Sequence, residues 1–123
     1  GAGAAPAAAA GEAGHQDVVR CVSLRIDGDL DLDAFNRWVL RTLADMDILR
    51  AKGVLAVTGR KEKLAFQAVH GAFDGTPALG ARWATGEPRR SEIVVMGCGL
   101  QAELLEVGLR RCVAGWTGGR ADE

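Results

Sequence analysis

Residues 18–46 read VVRCVSLRIDGDLDLDAFNRWVLRTLADM, and the apolar period changes once within the stretch. Up to Ile26 the period is two: Val22, Leu24 and Ile26 share one face of an extended chain, while Cys21, Ser23 and Arg25 share the other. Gly28 ends this strand. Asp31 then stands where a helix N-cap would, with Asp33 favourable in the first turn beside the positive end of the helix dipole. Beyond it Phe35, Val39, Leu43 and Met46 recur at helical spacing, flanked by Trp38 and Leu40. A strand with one apolar face followed by a helix with one apolar stripe requires a sheet for the helix to cover.

The downstream chain supplies that sheet. Residues 54–58 and 63–70 read as two strands joined by a tight turn around Gly59, Arg60 and Lys61, a hairpin with a basic tip. In the second of them Leu64, Phe66, Ala68 and His70 share a face. Residues 71–80 read as loop and residues 81–84, around Trp83, as a short strand. Residues 93–96 form a continuous apolar run, the pattern of a central strand buried on both faces. A last helix carries Leu105, Leu109, Cys112 and Val113 on one stripe, has Arg110 and Arg111 in its final turn, and stops at Gly115. The expected architecture is an α+β two-layer sandwich: a mainly antiparallel sheet of four or five strands with two helices on one face, related to the ferredoxin-like arrangement.

Upstream, residues 1–16 are almost entirely Gly and Ala, read as a flexible linker that implies a domain before it. Residues 17–116 form the folded domain and residues 117–123 a disordered tail. The whole chain of 123 residues is 48% hydrophobic and 25% charged, the balance of one globular domain. A net charge of -1 gives no positive field for nucleic acid or anionic lipid, and no apolar run approaches the roughly 20 residues that cross a bilayer. Three widely spaced cysteines, Cys21, Cys98 and Cys112, make neither a disulfide framework nor a closed zinc site and fit a reducing, cytoplasmic setting.

Few residues carry chemistry. His70, at a strand end, is the candidate metal ligand or hydrogen-bonding group, against the simpler reading of a half-buried histidine satisfied by a loop carbonyl. His15, near Glu12 and Asp17, is a weaker metal candidate, because a single histidine in a tail cannot fix ligand number and geometry. Arg50, Lys52, Arg60, Lys61 and Lys63 gather around the hairpin, either as a docking patch for an acidic partner or as a solvated rim that prevents edge pairing. With two histidines and no nucleophile elbow, no catalytic pair can be assembled.

Three stretches, in order and spacing, resemble the CobW C-terminal domain family. They are Leu49 to Leu55 with Arg50, Lys52 and Gly53; Phe66 to His70 with Gln67; and Arg90 to Gly97 with Arg90, Ser91 and Gly97, preceded by Trp83. The resemblance implies an accessory domain that follows a P-loop GTPase domain in metallochaperones delivering zinc or cobalt, some tied to cobalamin synthesis. It implies as partners the GTPase domain of the same parent chain and a metal-recipient apo-protein, and as cofactors of that parent GTP, Mg and Zn or Co, with none held by this domain. Three departures are plain: the chain has neither a Gly-x-x-x-x-Gly-Lys-Ser/Thr loop nor a Cys-x-Cys-Cys motif, both of which the family keeps in the GTPase domain, and Ala68 stands where the family's second motif has Gly.

The alternative is a stand-alone ferredoxin-like module for nucleic acid or a small ligand. It lacks support in the composition, which has no Tyr and no pair of aromatics set for base stacking. Without a phosphate-cradling loop the chain should bind no GTP. Calorimetric titration with GTP and Mg²⁺ should show no heat of binding, and a micromolar affinity would refute the reading.

Overall fold

The computed structural model describes residues 18–69 and 78–116. The linker at residues 1–16, the tail at residues 117–123, and both histidines, His15 and His70, lie outside the described residues. Chain order is β1 (Val19–Asp27), α1 (Leu32–Asp45), β2 (Asp47–Leu55), β3 (Glu62–Val69), β4 (Ala78–Arg82), β5 (Arg90–Cys98) and α2 (Ala102–Arg110). The five strands form one sheet in the order β1-β5-β2-β3-β4, antiparallel at every pairing. β1 and β2 therefore run parallel with β5 between them, the split β-α-β arrangement that the ferredoxin-like comparison anticipates. Both helices lie on one face, giving the α+β two-layer sandwich.

The core fills the space between these layers. Leu24 and Ile26 of β1, Ile93 and Val95 of β5, Ile48 and Ala51 of β2, and Leu64, Phe66 and Ala68 of β3 face Phe35, Trp38 and Val39 of α1 and Leu105 and Leu109 of α2. Phe35 is fully buried and meets Phe66 edge-on at 5.0 Å between ring centroids, the offset geometry that aromatic quadrupoles favour. The helix starts as the sequence predicts: the Asp31 carboxylate accepts the Ala34 N–H at 3.1 Å. Leu40, read as flanking the stripe, is exposed.

Four expectations change. β2 begins at Asp47, directly after α1, rather than at residue 54. A register shift between Ile48 and Arg50 places both Ile48 and Ala51 on the core side, and this bulge interrupts the period of two that sequence reading relies on. β5 is central but not buried on both faces, since Val94 and Met96 are 42% and 36% exposed. The fourth strand is Ala78–Arg82, with Trp83 just beyond it rather than at its centre. Finally, the β2–β3 connection is longer than a three-residue tip. Ala56 and Val57 are buried, and Leu30 bridges to Val57 on one side and to Val113 on the other.

Two residues of the β5 stretch have structural reasons for their identity. Ser91 is fully buried, and its Oγ accepts the Ala56 N–H at 2.9 Å, supplying the partner that this buried amide cannot find in the sheet. Gly97 and its counterpart Gly53 in β2 sit where strand backbones approach too closely for a side chain. A Cβ on Gly53 would collide with the Glu92 carbonyl oxygen and lie 2.7 Å from Ile93 Cα, and one on Gly97 would collide with the Asp47 carbonyl oxygen.

Ser91→Ala leaves the Ala56 N–H buried without an acceptor and should destabilise the domain by about 1–3 kcal/mol, read as a lower denaturant midpoint at unchanged slope. Burial also pushes the Cys112 thiol up to about 11, with Asp31 adding to the shift against the lowering effect of Arg41 and Arg37. Its folded-state value lies above the unfolded one of about 8.5. The contribution is therefore complete below that value and lost as pH rises towards 11. Unfolding free energy measured across this range should fall more steeply in the native chain than in Cys112→Ala.

Candidate docking surface

The face of the sheet away from the helices carries no covering element among the described residues. Pairing registers define its rows. Cys21, Met96, Arg50 and Val69 lie across β1, β5, β2 and β3, and the next row holds Ser23, Val94, Lys52 and Gln67. A third row holds Arg25, Glu92, Val54 and Ala65. Arg25 and Glu92 form an exposed ion pair at 3.5 Å. Arg50 and Lys52, alternate residues of β2, are exposed and enter no ion pair among the described residues. A shallow concavity of about 820 Å³ runs over this surface, lined by Ser23, Lys52, Val54, Gln67 and Val94 among others. The face thus sets two uncompensated cations on β2, the middle strand of the five, among apolar neighbours such as Val94, Met96 and Val69.

The five basic residues of the hairpin do not form one patch. Arg60 and Lys61 lie in the β2–β3 connection, exposed and beyond the end of the sheet face. Lys63 belongs to a separate cluster: its ammonium meets Glu87 at 2.9 Å and lies 4.9 Å from the Trp83 ring centroid, with the Arg89 guanidinium at 5.4 Å from the same ring. Glu87 also accepts the Ala84 N–H at 2.8 Å. That bond, followed by Lys63, holds the Glu87 carboxyl below the usual carboxylate range. Lys63 is therefore an internal brace, with its charge already matched.

Arg89 is the residue that sequence reading undervalued. Its guanidinium pairs with Asp29 and donates to the carbonyls of Val57 at 2.9 Å and Arg60 at 3.0 Å, so it ties the β2–β3 connection to the turn after β1. The signal in the sequence was only two adjacent arginines before a strand. The second of them, Arg90, pairs with Asp27 at 2.8 Å across the β1–β5 ladder, which raises its already high pKa. Of the motif residues, Gln67 is exposed on the open face opposite Lys52, whereas Gly53, Ser91 and Gly97 serve strand packing and Trp83 anchors the Lys63 cluster. Among the described residues no three His, Cys, Asp or Glu side chains converge to hold a metal ion, and no helix is long and apolar enough to cross a membrane.

Comparison with known proteins bears on this arrangement. No curated protein matches the chain. The zinc-bound YjiA GTPase from E. coli superposes with a TM-score of 0.66 at 22% identity, over 82% of this chain and 31% of that one. A zinc-bound triple mutant of the YjiA GTPase matches equally, with a TM-score of 0.66 at 21% identity, over 77% of this chain and 30% of that one. At such identity the likeness shows a shared fold, and the chain spans under a third of the length of these proteins. The family described as the cobalamin synthesis protein cobW C-terminal domain matches residues 19–113, nearly all of the described chain. The chain belongs to the CobW C-terminal domain family.

Proposed function

We propose that this domain is the docking module of a cytoplasmic CobW-type, GTP-dependent metallochaperone for zinc or cobalt. It would contact the parent's GTPase domain and the recipient apo-protein while performing no chemistry itself. The observation that carries the reading is the pair of exposed, unmatched cations, Arg50 and Lys52, set among apolar side chains on an open sheet face. An uncovered sheet face with two unmatched cations at its middle, flanked by apolar side chains, suits a protein surface carrying carboxylates. It suits nucleic acid poorly, because Phe35 and Phe66 both point to the core and leave this face without a stacking ring among the described residues. GTP and Mg²⁺ would be held entirely by the partner domain, and nucleotide state would alter docking only through contacts that differ between the two states.

Reversing both charges, Arg50→Glu with Lys52→Glu, should weaken association with the parent's GTPase domain roughly 10-fold at low salt and progressively less as ionic strength rises. The melting temperature of the isolated domain should hardly change, since neither side chain has an ionic partner among the described residues. Unchanged affinity with a lowered melting temperature would make these residues scaffold and remove the proposal's support.

A further inference from the structure

The β1–β5 register places three sulfur-bearing residues at neighbouring positions at one end of the open face. Cys21 is paired directly with Met96, and Cys98 lies two residues further along β5, opposite Val19. Alternation puts all three side chains on the side away from the helices: Cys21 and Met96 are exposed and Cys98 is half-buried. Directly opposed side chains have Cβ atoms about 4.5–5.5 Å apart, and diagonal neighbours such as Cys21 and Cys98 up to roughly 7–8 Å. A disulfide between the two cysteines needs Cβ atoms at about 3.8 Å and is excluded by that spacing. A metal ion between them is not, since each metal–sulfur bond adds about 2.3 Å of reach.

We infer that Cys21, Met96 and Cys98 form a three-sulfur site for Cu(I). Two thiolates and a thioether are soft ligands, the class that selects monovalent copper over hard cations. Binding releases one proton from each thiol, so that Cu(I) with two thiolates carries one net negative charge. Arg50, the neighbour of Met96 on its other side, supplies the compensating positive charge. Val19, opposite Cys98, and Val94, two residues before Met96 on the same face, border the sulfurs with apolar side chains. Asp47 pairs with Cys98 on β2, but no three His, Cys, Asp or Glu side chains converge among the described residues, so the harder third ligand that Zn(II) favours is not assembled here.

The test is anaerobic titration of the full chain with Cu(I), in competition with bicinchoninate, and X-ray absorption of the product. One ion should bind with three Cu–S contacts and two protons released. Cys21→Ser and Cys98→Ser should each lower affinity by more than the roughly 10–100-fold that loss of an outer-shell partner costs. Met96→Leu should lower it by a smaller factor and remove one sulfur contact, and Cys112→Ala should leave it unchanged. Three results would overturn the assignment: full affinity in either serine variant, equal affinity in the urea-unfolded chain, or a Zn(II) complex that resists Cu(I) and is lost in Asp47→Asn. Cys21, Met96 and Cys98 lie outside the core, whereas Cys112 is part of it, and melting curves on each variant confirm that any loss of binding occurs in a folded chain.

Discussion

The fold depends on β5 being threaded between β1 and β2 at close range. At Gly53 the β5 backbone occupies the space a side chain would need, and at Gly97 the same holds in reverse against β2. This contact joins strands that are far apart in sequence, so its loop-closure cost must be offset by what it organises. With β5 in place, β1 and β2 become parallel neighbours across it, and α1, which links them, is forced onto one face. Ser91 extends the same strand's influence beyond the ladder, satisfying the Ala56 amide as the β2–β3 connection turns under the core. Arg89, just ahead of β5, holds the carbonyls of that connection from the opposite side. One strand and its flanking residues thus organise both the sheet and its most irregular loop.

Much of this was legible in the residues, and the failures have specific causes. β1 and α1 could be read because their apolar periods are clean, and Asp31 caps the helix by a local bond that depends on nothing distant. β2 could not, because the bulge between Ile48 and Arg50 brings two core residues three apart, a spacing that belongs to helices as much as to strands. The run from Ile93 to Met96 misled in another way. Valine and methionine on an exposed face look the same in sequence as in a core, and only the absence of a second layer among the described residues distinguishes them. The role of Arg89 was hidden for a third reason: its acceptors, Val57, Arg60 and Asp29, are 29 to 60 residues away.

The candidate surface was half legible. Arg50 and Lys52 were recognisable as a pair, since alternation in a strand puts them on one face whatever the register. Lys63 was not separable from them by sequence, because its partner Glu87 and the Trp83 ring arrive from beyond β4. Charge counting therefore overstated the basic patch. What distinguishes the two groups is compensation: one lysine's field is closed locally by a carboxylate, whereas the β2 pair projects its field into solvent, where only salt screens it.

The two faces of the sheet are under different packing constraints. Residues that alternate inwards are locked by packing against α1 and α2, so a change at Ile93 or Phe66 must be answered by neighbours to keep the core filled. Residues that alternate outwards share the same strands but bear no such obligation, and a substitution at Val94 or Gln67 leaves the interior intact. If this face recognises a partner as proposed, its specificity can change one side chain at a time at nearly constant stability, because the strands that carry it are held from the other side.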